Sequence, residues 1–125
     1  MTQEIVIPSE TALINFDEFV GDTLLMQFGY CDEKGLPYDL TGSSATLEVR
    51  RTRTDLTPLL SLSSPTNISL TPVVDGFNTY NINAEITAAQ TLALGAGEFP
   101  YFIKVIDSLG KENTLIAGLI RLKRP

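Results

Sequence analysis

The feature that most constrains this chain is an alternation of apolar and polar side chains, cut at short intervals by Gly and Pro. From Ser44 onward Ala45, Leu47 and Val49 fall on one side, and Thr46, Glu48 and Arg50 on the other. That is the period of a half-buried strand. Leu24, Met26, Phe28 and Tyr30 give a matching apolar face one segment earlier. Between the two runs lie a turn at Asp32-Glu33-Lys34-Gly35, the stiff Pro37, and a bend through Asp39, Thr41 and Gly42. Gly35 supplies a positive φ, and Asp39 and Thr41 are placed to bond their own backbone. Two antiparallel strands with one apolar face each need a second layer to cover them.

The rest of the chain repeats the pattern. Leu59–Leu62, Ile68–Thr71 and Thr79–Ile82 read as short strands, the last with Tyr80 and Ile82 on one side and Asn81 and Asn83 on the other. One short helix is expected from Thr87 to Leu94, capped by Thr87 and closed by Gly95. Gly97–Ile106 is the longest apolar strand, with Phe99, Tyr101, Ile103 and Val105 sharing a face. Pro100 marks an edge or a bulge there. The chain returns through Glu112–Leu122, where Gly118 signals a bulge or close packing by Phe99 or Tyr101. These spacings predict an all-β, antiparallel sandwich of about seven to nine strands with one short connecting helix.

Residues 1–16 read as an N-terminal arm or edge strand, and 17–125 as the sandwich domain. The β-prone run Glu4-Ile-Val-Ile-Pro8 either edges its own sheet or adds to a neighbour's. Ile5, Val6 and Ile7 are therefore candidate partner contacts.

Several classes of chemistry are excluded. The chain has no His, so Ser-His and Cys-His nucleophiles are ruled out, and Cys31 is alone, so no internal disulfide forms. Asp32, Glu33 and Asp39 flank one polar turn, without the spacing of catalytic carboxylates or of a calcium loop. Neither an enzyme nor a cofactor or metal site is expected. A net charge of −6 argues against nucleic acid as a partner. No apolar run approaches the roughly 18–20 residues of a membrane helix, and the N-terminus lacks the pattern of a secretion signal. Assembly in a cytoplasm is expected.

Charge is uneven along the chain. Residues 1–40 hold eight carboxylates with Lys34 as their one base, whereas the end reads Arg121-Leu-Lys123-Arg124. Such asymmetry suits head-to-tail contact with a neighbour, although ordinary solvated faces give the same pattern. Arg51 and Arg53 are expected on the face opposite Arg50. Asp32, Glu33, Tyr38, Asp39, Arg51, Arg53, Arg121, Lys123 and Arg124 complete the set of candidate partner contacts.

Asp22-Thr-Leu-Leu-Met-Gln-Phe28, Gly35-Leu-Pro37, Asp39-Leu-Thr-Gly42 and Ala45-Thr-Leu-Glu-Val-Arg50 together resemble a family of phage tail and baseplate modules. Ile86-Thr-Ala-Ala-Gln-Thr-Leu92 and Gly97-Glu-Phe-Pro-Tyr-Phe-Ile-Lys-Val105 extend the resemblance, which spans roughly residues 20 to 123 and points to the N-terminal domain of baseplate upper proteins. Position 99 is Phe where that family tends to Tyr, and Pro100 follows it. The resemblance implies an immunoglobulin-like sandwich that attaches fibre or receptor-binding parts to a tail. Its expected partners are other virion proteins, in a symmetric homo-oligomer within the particle. A capsid decoration protein is the alternative of the same class. A carbohydrate-binding, adhesin-like module is the alternative of another class, with Tyr80 beside Asn78 and Asn81 as its best platform.

Overall fold

The computed structural model describes residues 2–6, 12–32, 34–76 and 78–125, with residues 2–6, 75 and 78 described by backbone alone. Its strands in chain order are β1 (Thr2–Val6), β2 (Ala12–Leu13), β3 (Phe16–Phe19), β4 (Leu24–Cys31), β5 (Ser44–Val49) and β6 (Leu60–Ser63). They continue as β7 (Ile68–Ser69), β8 (Val73–Asp75), β9 (Asn78–Tyr80), β10 (Ile82–Ile86), β11 (Gly97–Ile106) and β12 (Glu112–Lys123), with helix α1 (Ala88–Leu94) before β11. One sheet has the order β1-β4-β10-β7, and the second has the order β2-β12-β11-β5-β6 with β3 also on β12. β8 and β9 form a separate hairpin. A single core lies between the two sheets, joining Met26, Phe28 and Ile82 from one to Leu47, Ile103 and Ile120 from the other. The protein is an all-β sandwich with one short helix.

Twelve strands appear among the described residues, rather than seven to nine, because runs that read as continuous are interrupted. The Thr79–Ile82 run is broken at Asn81. The N-terminal run divides as well: β1 pairs in parallel with β4, whereas β2 and β3 pair in parallel with β12. Both sheets thus carry a parallel strand at one edge, on an otherwise antiparallel frame.

The predicted alternation holds in β5, where Ala45, Leu47 and Val49 are buried, and in β11, where Phe99, Tyr101, Ile103 and Val105 are. In β4 it holds through Phe28 and then slips. Cys31 is buried in place of Tyr30, which is half-buried. β12 buries Leu115 and Ile116 in succession. A register shift explains this: Ile103 pairs Ile116 while Lys104 pairs Thr114, so Leu115 is the extra residue of a bulge.

Pro100 stands where β11 becomes an edge: β5 pairs it from Tyr101 to Ile106, whereas Gly97–Pro100 pair β12 alone. There it ends a ladder. The Arg50 N–H donates to the Pro100 carbonyl at 2.8 Å. Pro100 has no N–H to return to Arg50, and β5 stops at Val49.

Gly118 is explained by backbone rather than by an aromatic ring. Between β2 and β3 the chain crosses directly over it, and a Cβ there would run into the Ile14 carbonyl. The crossing is pinned by Ile14 N–H to the Ala117 carbonyl at 2.9 Å and by Leu119 N–H to Asn15 Oδ1 at 2.9 Å. The Tyr101 hydroxyl donates to the Ile14 carbonyl at 2.7 Å, and burial raises its pKa. Tyr101→Phe removes that donor from a part-buried acceptor, so a loss of about 1–2 kcal/mol is expected in urea denaturation. An unchanged midpoint would show that water replaces the hydroxyl.

Helix α1 is capped as expected, with Thr87 Oγ1 accepting from the Gln90 N–H and Gln90 Oε1 accepting from the Thr87 N–H. Its buried Thr91 hydroxyl donates to the Asp22 carbonyl at 2.9 Å and accepts from the Gly21 N–H at 3.0 Å. The helix thereby holds the turn that follows β3.

Candidate interaction surfaces

The segment after β4 forms a tight, self-bonded projection. Asp32 accepts from the backbone N–H groups of Lys34 at 2.9 Å and Leu36 at 3.0 Å. The Gly35 N–H donates to the Asp32 carbonyl, and the Asp32 N–H to the Leu36 carbonyl. Gly35 takes a φ of 82°, as its place in the turn requires. Tyr38 lies with its ring centroid 4.5 Å from that of Tyr30. Burial, and then the neighbouring Tyr38, raise the Tyr30 pKa. Asp39 accepts from the Thr41 hydroxyl at 2.6 Å and from its N–H at 2.9 Å, and these bonds hold its carboxyl below the usual range. Leu36 stands 61% exposed at the tip. Glu33 and Ile7 lie outside the described residues. Ile5 and Val6 belong to β1, opposite Tyr30 and Cys31 of β4.

Asn81 locks this projection to the sandwich, a role its place in the sequence pattern conceals. It is 1% exposed. Its Oδ1 accepts from the Tyr30 N–H at 2.7 Å, and its Nδ2 donates to the carbonyls of Tyr30 at 2.9 Å and Tyr38 at 3.0 Å. The side chain thus replaces a stretch of backbone ladder between β4 and the β9–β10 break. Tyr80 is 8% exposed. The Tyr80–Asn81 platform expected for a sugar is therefore buried, and the Asn81 amide is committed to backbone.

The outer face of the six-stranded sheet carries a second surface. The register sets Leu13, Ala117, Phe102 and Glu48 in one row across four strands. Arg50 lies over the Phe102 ring at 4.9 Å from its centroid, and Lys104 Nζ lies 5.7 Å from it. Arg50 also pairs with Glu48 at 2.9 Å, and Lys104 approaches Glu112 at 3.9 Å. A hollow of about 410 Å³ opens here, lined by Arg50, Arg53, Pro100, Phe102, Lys104 and Gly118 among others.

Arg53 joins Arg50 in this hollow rather than facing away from it. Strand alternation ends with β5 at Val49, and the turn through residues 51–54 carries Arg53 back over the outer face. Arg51 does diverge, lining a smaller hollow with Leu59, Gln90 and Leu94. Arg121 is matched within its own sheet, to Asp17 at 3.6 Å and to Glu98 at 3.9 Å. Lys123 and Arg124 are exposed at the end of β12.

The register separates these groups along the strands. Leu122 pairs Gly97, and Val49 pairs Tyr101, so Arg50, Arg51, Arg53, Lys123 and Arg124 gather at the Gly97 end. Ser44 pairs Ile106, and Asp39 shares a hollow with Val105, Asp107 and Asn113, so the acidic projection stands at the other end. The candidate contacts thus do not form one surface: Asp32, Tyr38 and Asp39 share the projection, Arg53 enters the Phe102 hollow, and Arg51 lines another. Among the described residues, no group of three or more His, Cys, Asp or Glu side chains is placed to hold a metal ion. No described helix is long and apolar enough to cross a membrane.

No family model and no curated protein matches this chain. Among 14 matching chains of solved structures is the N-terminal domain of phage TP901-1 ORF48. It aligns over 99% of this chain and 100% of its own length, at 9% sequence identity and a TM-score of 0.49.

Proposed function

We propose that this chain is a non-enzymatic structural protein of a phage particle, a tail, baseplate or fibre-attachment adaptor that works by protein–protein contact. The observation that carries the reading is the pair of built surfaces at separate places on one sandwich. One is a self-bonded acidic projection with an exposed Leu36, and the other a cationic hollow floored by Phe102. Two distinct faces held apart by a stiff core suit a part that joins one component to another. The placement in a phage tail rests on the sequence resemblance through Asp22–Phe28, Asp39–Gly42 and Gly97–Val105.

The reading is tested by gold-labelled antibody against this chain on purified particles from the source, viewed by electron microscopy. Label at the tail tip or fibre base is expected. Label spread over the head makes the protein a capsid decoration subunit. Particles without label remove the virion assignment altogether.

A further inference from the structure

The acidic projection and the cationic hollow are complementary in polarity and charge. The projection carries Asp32 and Asp39 against one base, Lys34, and ends in the exposed Leu36. The hollow is concave, has an apolar floor of Pro100 and Phe102, and is rimmed by Arg50, Arg53 and Lys104. Glu48 and Glu112 offset part of that charge through Arg50 and Lys104, whereas Arg53 has no ion pair among the described residues. The two surfaces occur on one chain, and no described residue of the projection lines the hollow.

We propose that the Leu36–Asp39 tip of one copy docks in the Phe102 hollow of the next, so that the chain associates head to tail. Leu36 would cover the Phe102 ring, and Asp39 would face Arg53 and Lys104. The cost of ordering is small on both sides. The tip is already fixed by Asp32, Asn81 and the Tyr30–Tyr38 contact, and Arg50 and Lys104 already flank the ring. A contact between two different patches is heterologous, so it closes into a ring or continues as a fibre according to its rotation. The inference rests on the adaptor reading in assigning a protein occupant to this face. It names that occupant as a second copy.

The test is sedimentation velocity on the purified full chain over a concentration series, at about 50 mM and about 1 M salt. Reversible association is expected, weakening as salt rises. A hollow variant, Arg53→Glu with Lys104→Glu, and a tip variant, Leu36→Ala with Asp39→Ser, are each expected to weaken it at least about tenfold. Ser retains a hydroxyl acceptor for the Thr41 N–H, and Arg53→Glu alone serves if the double hollow variant melts early. Mixing the two variants is the deciding step. Each keeps one good surface, so together they form a 1:1 complex that neither forms alone. A wild-type protein that stays monomeric at low salt overturns the proposal and leaves the hollow to an acidic segment of another protein. Association that survives both variants, or variants that fail to pair on mixing, overturns it equally. Antibody labelling of particles is unaffected by any of these outcomes, so the two readings fail separately.

Discussion

Replacing Gly118 by Ala is expected to lower stability by about 3–5 kcal/mol, a fall in melting temperature of about 10–20 °C for a domain of this size. The added methyl group meets the Ile14 carbonyl, which is backbone and has no rotamer to escape into. Moving Ile14 away costs its own N–H bond to Ala117, the Tyr101 hydroxyl bond and the Leu119 bond to Asn15. Release cannot spread far, because Phe16 is fully buried and packs edge-on against Phe28 with ring centroids 6.0 Å apart. Two responses are therefore open, and limited proteolysis separates them. If the crossing lifts off, cleavage appears around residues 12–15 while the core stays folded. If it holds, the whole domain melts early and cleavage is dispersed. Asn15→Ala serves as the control. It removes one bond without adding volume, and a loss of about 1 kcal/mol is expected. A Gly118→Ala protein as stable as the wild type would mean that Ile14 does not cross there.

Gly118 also shows what the sequence could and could not convey. A glycine inside an apolar strand announces that something approaches closely, and something does. The sequence pattern offers Phe99 and Tyr101 as the neighbours, because both lie on the adjacent strand. The actual neighbour is backbone from a segment about a hundred residues earlier, and periodicity carries no information about which strand an N-terminal run will join. The same limit hides the parallel pairing of β1, β2 and β3. Alternation was legible wherever pairing is regular, as in β5 and most of β11. It failed where one residue is inserted: Leu115 and Ile116 are both apolar, so the bulge that turns both inward leaves no mark in the pattern. Arg53 escapes the alternation because β5 stops at Val49, where the missing N–H of Pro100 ends the ladder. The Asp32–Gly42 loop was legible in detail, since turn residues bonding their own backbone are a local matter. The hollow was not, because it draws on β11, β12 and the segment after β5, which only the fold brings together.

Asn81 is the site where polar chemistry decides most. Asn81→Leu keeps the branching of the side chain but removes the acceptor of the Tyr30 N–H and the amide bond to the Tyr38 carbonyl. The Tyr30 carbonyl retains a bond from the Tyr38 N–H. Loss of these bonds predicts a fall of about 1–3 kcal/mol, with little dependence on pH. Asn81→Asp is the more informative change. It preserves the acceptor for the Tyr30 N–H but sets an oxygen against two carbonyls that the amide approaches at 2.9 and 3.0 Å. Ionised, that carboxylate is buried and repelled, so a loss of about 3–5 kcal/mol is expected near neutral pH. Protonated, it regains one donor and satisfies one of the two carbonyls. Its pKa in the folded protein must then lie above the unfolded value of about 3.9. Between those two values the folded state holds the proton and the unfolded state has lost it. Stability relative to the wild type therefore falls as pH rises through that window and levels off above the folded pKa. Urea titrations of wild type, Asn81→Leu and Asn81→Asp at about pH 4 and pH 7 measure the difference directly. The gap between Asp and wild type should widen with pH while that for Leu stays level. Parallel behaviour of the two variants would mean that water reaches the site, and that Asn81 is not what ties the acidic projection to the sandwich. Because the tip is held through the Tyr38 carbonyl, the Asp variant should also weaken self-association at neutral pH and recover part of it in acid.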